Sequence, residues 1–359
     1  MATPCIQDFA ELTIVNAYEP VPRLGATRAL PQVAEAMSAA AGHTFDVLRY
    51  RDAVEHNAAQ RLGFDGAAAV AGARAGLALA AWLASQRRPS AKIVAVHPTP
   101  RTAYSVFVTA HGLVAREINL DNELDDTLIP QLAAALLVLR SNANDLPRVL
   151  STRARCTERG IPFIIDAAAA PWSELAPLGH PEALVVTSAS KSQGGPTASG
   201  FLLVGEHWQP MIPERISDLR LELLRPGKEA LVGLSTLLAA SSLPQSSADR
   251  MDCQPAPAAL RDLGFVALHR QPYWRNKAPG NGTDGTVYVR SFSGSEGGAA
   301  VADRIATRLW NLEPPVVVGC RANAIHVSVD RLTALEVGYI AAALVVTIRW
   351  ALAESGNCE

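Results

Sequence analysis

Residues 161–200, IPFIIDAAAAPWSELAPLGHPEALVVTSASKSQGGPTASG, contain two apolar runs that each lead into polar residues. The first run ends at Asp166, and the second leads through Ser188 to Lys191. Apolar runs without polar alternation are typical of strands covered on both faces, as in parallel sheets flanked by helices. Ligands of such sheets collect at the carboxyl ends of the strands. The stretch therefore predicts a sheet that brings Asp166 and Lys191 to one edge.

Helix-like and strand-like segments alternate on both sides of this stretch, which predicts an α/β architecture with a mainly parallel sheet. Ala-rich composition favours helices at 29–41 and 51–62. Residues 66–85 are interpreted as a turn followed by an apolar helix, as expected for a helix inside a large domain. A further helix is predicted at 128–140, followed by a loop at 141–147.

The pattern of helix-like and strand-like segments changes after a Ser/Pro/Asp-rich segment at 241–258, where we place a domain boundary. We predict a large domain at 1–240 and a small α+β domain at 241–359. The first 30 residues are a candidate to pack on the small domain. A chain of 359 residues is long enough for two such domains.

Composition excludes some partners. The net charge of −2 leaves no basic field for nucleic acid or an anionic membrane surface. The apolar stretches 67–84 and 334–351 contain or adjoin charged residues, which favours buried or docking helices over membrane spans. The acidic N-terminus has no secretory pattern, so a cytoplasmic location is expected. The five cysteines are scattered, which indicates reduced thiols and no metal site.

Lys191 and Asp166 suit the two ends of one cofactor ring. A lysine that follows an apolar strand is unusual, because lysine is almost never buried without a partner or a task, and forming a Schiff base is such a task. An aspartate at the end of the neighbouring strand suits the ring nitrogen of pyridoxal 5′-phosphate (PLP), which must stay positive to draw electrons. An ordinary ion pair at a sheet rim remains an alternative.

The loop around Gly72, with Ala73 and Arg74, precedes a predicted helix. Backbone N–H groups at a helix start bind phosphate, and small residues permit close approach. Ser188 would add a hydroxyl to the same phosphate. Each of these residues also has a plain interpretation as a helix cap or a strand end.

Several segments together resemble one branch of the fold-type I PLP enzymes. This branch contains bacterial selenocysteine synthase and the D-glucosaminate-6-phosphate ammonia-lyase type of enzyme, within the wider aminotransferase class V-like superfamily. The similar segments are NAYEPVPRLGATRALPQVAEAM (16–37), VAGARAGLALAAWLA (70–84), IPFIIDAAAA (161–170), VVTSASKSQGGPTASGFLLVG (185–205), RPGKEALVGL (225–234) and, more weakly, PPVVVGCRANAIHVSV (314–329).

The resemblance implies a seven-stranded sheet in the large domain and a role for each matched residue. Lys191 would carry PLP as a Schiff base and act as the catalytic base, and Asp166 would face the pyridine nitrogen. The remaining implied residues are Gly72, Ala73, Arg74 and Ser188 for the phosphate, His97 for stacking on the ring, and Arg225, Lys228 and Arg23 for the substrate.

The same resemblance implies a homodimer with shared active sites. It favours β-elimination or β-replacement on a small amino acid or amino sugar acid. The chain departs from the branch at Ala71, Arg74 and the segment 188–191, which leaves substrate and reaction open. The match starts near residue 14, so no counterpart of a tRNA-binding N-terminal domain is expected, which favours a small-molecule amine. An aminotransferase and a non-catalytic homologue that binds a partner or acts as a scaffold remain alternatives.

Overall fold

A computed structural model of the chain describes twelve segments. They are residues 15–17, 28–96, 112–119, 127–139, 145–191, 193–211, 224–241, 260–269, 286–292, 298–321, 323–328 and 334–354. The chain divides into two compact units. The larger comprises residues 25–244 with 272–274, and the smaller comprises 1–24, 245–271 and 275–359.

The elements are numbered in chain order. The helices are α1 (Pro31–Ala41), α2 (Val47–Leu62), α3 (Ala73–Arg87), α4 (Asp145–Glu158), α5 (Lys228–Ser241), α6 (Gly298–Trp310) and α7 (Ala334–Glu354). The strands are β1 (Val15–Ala17), β2 (Gly66–Val70), β3 (Ile93–Val96), β4 (Val114–Glu117), β5 (Leu132–Val138), β6 (Phe163–Asp166), β7 (Ala183–Val186), β8 (Gly200–Val204), β9 (Val266–His269), β10 (Thr286–Ser291), β11 (Val316–Arg321) and β12 (Ala324–Ser328).

The larger unit is built on a seven-stranded sheet with the order β2-β8-β7-β6-β5-β3-β4. Strands β4, β3, β5, β6 and β7 run parallel, and β8 is antiparallel to its neighbours β7 and β2. Strand β2 consequently points in the same direction as β7. This confirms the predicted mainly parallel, seven-stranded α/β sheet.

Both faces of the sheet are buried at β5, β6, β7 and β8, whose strands are almost entirely apolar, whereas the edge strand β4 is largely exposed. Phe163 and Ile165 of β6 lie in a core formed with α1, α2, α4 and α5, whereas Ile164 between them lies in a second core with α3. Helix α3 is lined with buried alanine and leucine, so it packs closely against the sheet. At about 25 cal/mol per Å² of apolar surface, these two cores are the main stabilising term of the unit.

The predicted helix at 128–140 is wrong. Its centre is strand β5, which lies between β6 and β3 and is buried along most of its length. Leu and Ala favour a helix locally, but burial between two neighbouring strands outweighs that preference. Helix α4 also begins at Asp145, inside the predicted loop, and β2 precedes the turn in the segment 66–85.

The smaller unit has a five-stranded sheet with the order β1-β11-β12-β10-β9. Helices α6 and α7 contribute Ile305, Leu344 and Ile348 to its core. Within the described segments, α7 alone is long and apolar enough to cross a membrane by length and composition, with a mean hydropathy of 1.6 over Leu335–Leu352. A single such helix is weak evidence, since core helices of soluble proteins share these properties.

Candidate functional site

Asp166 and the segment that leads to Lys191 lie at the same edge of the seven-stranded sheet. Asp166 is the last residue of β6 and pairs in register with Val186, the last residue of the parallel strand β7. Lys191 follows Val186 by one short turn. The structure therefore brings together the two sheet-edge positions that the sequence singles out.

The chain between β7 and β8 turns back on itself and is held by backbone hydrogen bonds. The Ala189 N–H donates to the Ser199 carbonyl at 2.9 Å, and the Gly195 N–H donates to the Ala189 carbonyl at 2.9 Å. The Ser199 hydroxyl donates to the Pro196 carbonyl at 2.7 Å. Lys191 lies within this turn and is partly exposed. These hydrogen bonds hold the backbone of the turn that contains Lys191.

Two serines lie just before the lysine in that turn. Ser188 is 4% exposed, and its Oγ atom lies 3.3 Å from the Oγ of Ser190. A hydroxyl has one donor and two acceptor positions, so Ser188 retains capacity for a further hydrogen bond beyond this one. Its position between β7 and Lys191 fits the expected phosphate contact, which stays a prediction.

The Asp166 carboxylate is oriented by the backbone that follows it. Its Oδ1 atom accepts a hydrogen bond from the Ala168 N–H at 3.0 Å. Such an Asx-type bond within the turn holds the side chain at the strand end. The carboxylate is partly buried at the sheet edge, where it can accept a hydrogen bond from a protonated ring nitrogen.

Helix α3 begins at the same edge, because β2 points in the direction of β7. Gly72 is its N-cap and has φ 89° and ψ 173°, a conformation that only glycine adopts without strain. No side chain caps this helix start. Within the described part of the chain, no acceptor receives the N–H groups of Ala73 and Arg74. A helix N-terminus with unused N–H groups is an anion site.

The N–H of Gly72 itself donates to the Val70 carbonyl at 2.7 Å. The role of Gly72 is consequently conformational, and the donors that remain for a phosphate are those of Ala73 and Arg74. Space alone does not require glycine here, since a Cβ atom on residue 72 would lie at an ordinary van der Waals distance of 3.5 Å from the Ala198 Cα. The Arg74 side chain is exposed on the first turn of α3.

Arg225 and Lys228 have partners within the protein. The Arg225 side chain is 8% exposed, and its Nη1 atom donates to Glu55 Oε1 at 3.2 Å. Lys228 Nζ donates to the His43 carbonyl at 2.8 Å, beyond the end of α1. These contacts favour structural roles, and the predicted substrate contacts of both residues stay untested. His97 and Arg23 lie outside the described residues.

Glu55 is the residue of this region that sequence reasoning missed. It lies on α2 and also accepts the Ala69 N–H at 2.9 Å. Burial raises the pKa of Glu55, while this hydrogen bond and the charges of Arg225 and Arg51 act in the opposite direction. A single glutamate in a helix rich in polar residues carries no signal in sequence.

The fold resembles that of solved enzymes over nearly the whole chain. A D-glucosaminate-6-phosphate ammonia-lyase superposes with a TM-score of 0.70 at 18% identity, over 98% of this chain and 100% of that one. A complex of SepCysS with the N-terminal domain of SepCysE gives 0.57 at 16% identity, over 94% and 95%. The serine palmitoyltransferase of Sphingomonas wittichii gives 0.60 at 14% identity, over 94% and 87%.

The chain has the fold of fold-type I PLP enzymes. One further neighbour is a serine palmitoyltransferase from S. paucimobilis with a bound PLP–myriocin aldimine, at a TM-score of 0.58 and 15% identity, over 94% of this chain and 88% of that one. No family model matches the sequence, and no curated protein matches it. At these identities the likeness establishes the fold, and function must be argued from the site.

Metal chemistry has no candidate site in the segments described. Among them, no group of three or more His, Cys, Asp or Glu residues could hold a metal ion. The groups brought to the sheet edge are instead an amine, a carboxylate, a hydroxyl and a helix N-terminus.

Proposed function

We propose that this chain is a PLP-dependent enzyme that acts on a small amine. The observation that carries the proposal is the shared sheet edge, where Asp166, the turn with Lys191 and the start of α3 come together. The three groups match the three polar parts of PLP: the ring nitrogen, the aldehyde and the phosphate. If Asp166 and Lys191 merely formed an ion pair at the sheet rim, nothing would require an uncapped helix start at the same edge.

Each group would hold one part of the cofactor. The Lys191 amine would condense with the aldehyde and release its oxygen as water, and the Asp166 carboxylate would accept a hydrogen bond from the ring nitrogen and keep it protonated. The N–H groups of Ala73 and Arg74, with the Ser188 hydroxyl, would donate to the phosphate. When bound, PLP supplies a ring that accepts electrons from the substrate Cα.

Lys191 would have a second task once the substrate amine has replaced it on the cofactor. Its freed Nζ atom would take the proton from the substrate Cα, as a general base. The braced turn around Ala189 and Gly195 favours this task, because it limits where the Nζ atom can reach. Asp166 would stabilise the positive ring nitrogen throughout and would transfer no proton to the substrate.

For the reaction we propose β-elimination or β-replacement on an amino acid or amino sugar acid. Support comes from the likeness to an ammonia-lyase at the highest TM-score among the neighbours reported above. We further propose a cytoplasmic homodimer whose two active sites are shared between subunits, as an isologous interface permits.

The decisive test is an absorption spectrum of the purified protein with PLP, beside that of Lys191→Ala. We expect wild type to show a band that borohydride removes and the variant to lack it. A panel of amino acids and amino sugar acids then identifies the amines that shift the band. Elimination leaves the cofactor as PLP, whereas a transaminase would convert it to the pyridoxamine form. If wild type does not bind PLP, the proposal fails and a non-catalytic role replaces it.

A further inference from the structure

The outer edge of β2 is closed by two acceptors from other parts of the larger unit. Strand β2 is the terminal strand of the seven-stranded sheet, so some of its N–H groups have no strand partner. The Ala69 N–H donates to Glu55 Oε1 at 2.9 Å, and the Ala71 N–H donates to the Leu224 carbonyl at 2.6 Å. Buried N–H groups need such partners.

One ion pair links these two acceptors. Arg225, the residue after Leu224, donates from Nη1 to the same Glu55 Oε1 atom at 3.2 Å. The side chains of Glu55 and Arg225 are 13% and 8% exposed, so water screens the pair little. Arg51 adds its Nε atom 4.0 Å from the carboxylate. Glu55 thus holds both β2 and the segment 224–225, the latter through its arginine.

The linked segment contacts the residue that leads into the start of α3. Leu224 accepts from Ala71, and Ala71 immediately precedes the N-cap Gly72. A shift of the Leu224 carbonyl would release the Ala71 N–H and with it the turn into α3. The position of Arg225 would in this way affect the direction of the first N–H groups of α3.

We propose that Glu55 is a positioning residue for the phosphate site: through Arg225 and Leu224 it orients the turn at Ala71 and Gly72 so that the first turn of α3 faces a phosphate ester. The inference rests on the proposed function and deepens it. It assigns Arg225 to the support of the cofactor site instead of to direct contact with the substrate.

A different result is expected if the Glu55–Arg225 pair has only a structural role. If the pair only covered the edge of β2, its loss would lower stability and weaken any ligand of the site to the same extent. If it orients the phosphate site, its loss weakens ligands that carry a phosphate and spares those that lack one. PLP and pyridoxal differ in this group, and both offer the same aldehyde to Lys191.

The experiment measures the Kd of PLP and of pyridoxal for wild type, Glu55→Gln, Arg225→Gln and the double variant. The glutamine oxygen can still accept from Ala69, so Glu55→Gln removes mainly the charge that holds Arg225. We expect PLP to bind roughly tenfold more weakly to each single variant, with pyridoxal unchanged. The double variant should lose little more than either single one, because the two residues act through one contact.

Asp52→Asn is the matched control, since Asp52 lies on the same helix, carries the same charge and has a 73% exposed side chain. It should bind both compounds as wild type does. An equal loss of PLP and pyridoxal in Glu55→Gln, or no loss of either, would overturn the inference. If Glu55→Gln does not fold, Arg225→Lys provides the same comparison, because lysine keeps the charge but not the guanidinium geometry. Failure of wild type to bind either compound would instead refute the proposed function.

Discussion

Gly76 of α3 lies against Val186 of β7 so closely that a Cβ atom on residue 76 would be 2.7 Å from Val186 Cγ1. Val186 is fully buried and pairs with Asp166, so this contact joins the first turns of α3 to the strands that carry the site. The absence of a side chain at residue 76 thus allows α3 to pack this closely against β7.

We expect Gly76→Ala to destabilise the protein. Alanine should gain about 1 kcal/mol in helix propensity, but overpacking against a β-branched side chain should cost about 1–3 kcal/mol. Urea unfolding measures the difference. Val186→Ala should rescue Gly76→Ala, because it removes the Cγ1 atom with which the added Cβ would clash. As a control, Gly338→Ala on α7 should be neutral or stabilising, since no atom lies within 4 Å of its added Cβ. A Gly76→Ala variant as stable as wild type would contradict the close packing.

Gly72→Ala should weaken PLP binding through backbone strain. Its φ of 89° and ψ of 173° are disfavoured for alanine by about 1–3 kcal/mol, although the Cβ itself would have room. The loop should relax and turn the N–H groups of α3 away from the phosphate. Fluorescence titration with PLP tests this against Gly42→Ala, whose φ of −80° suits alanine. Equal PLP affinity in the two variants would refute a conformational role for Gly72.

Asp166→Asn should separate cofactor binding from turnover. The amide keeps the size of the side chain and can still accept from Ala168, but it carries no charge to hold a proton on the ring nitrogen. We expect PLP to remain bound while the turnover of any accepted amine falls by about 100-fold or more. Asp166→Glu is the companion variant, since it retains the charge. Wild-type turnover in Asp166→Asn would remove Asp166 from the catalytic set.

Glu174 should make stability depend on pH. Burial raises the pKa of its carboxyl to about 7 in the folded chain, whereas an unfolded glutamate titrates near 4.5. The folded state therefore binds this proton more tightly, and the stability that it adds is present below pH 4.5 and is lost as pH rises through 7. Urea unfolding at pH 5 and pH 8 should show a smaller difference in Glu174→Gln than in wild type.

The control for that comparison is Glu158→Gln, which alters an exposed carboxylate at the end of α4. It should retain the pH dependence of wild type. A Glu174→Gln variant whose unfolding free energy changes with pH as much as that of wild type would show that the raised pKa does not bear on stability.

Cys156 should resist alkylation in the folded protein. It is fully buried on α4, and burial raises the pKa of its thiol to about 12. Because the thiolate is the reactive form, little of it exists at pH 8. Mass spectrometry after iodoacetamide treatment should find the Cys156 peptide unmodified in buffer and modified in urea. Rapid labelling in buffer would show that α4 opens readily.

The central strands β6 and β7, with Asp166 at the end of one and Lys191 shortly after the other, are predictable because each strand has a local signature. The apolar run at 161–165 leads into Asp166 and the run at 183–186 leads into Thr187 and Ser188, and parallel strands place their carboxyl ends together. The segment 128–140 is ambiguous in sequence because its leucines and alanines suit a buried helix as well as a buried strand. Only the pairing of β5 with its neighbours β3 and β6 distinguishes the strand from the helix. This pairing joins segments that are far apart along the chain.

The sequence by itself determined the α/β class, the strand ends at Asp166 and before Lys191, and the glycine turn that starts α3. These features depend on residue type and on spacing along the chain. Only the tertiary structure decided that Gly72 acts through its conformation, that Arg225 is paired with Glu55, and that Gly76 sets the approach of α3 to β7. The conformation of Gly72 is fixed by the turn that the folded chain makes there, and the other two relationships join residues 170 and 110 positions apart. Hydrogen bonds and van der Waals contacts over such separations exist only once the chain has folded.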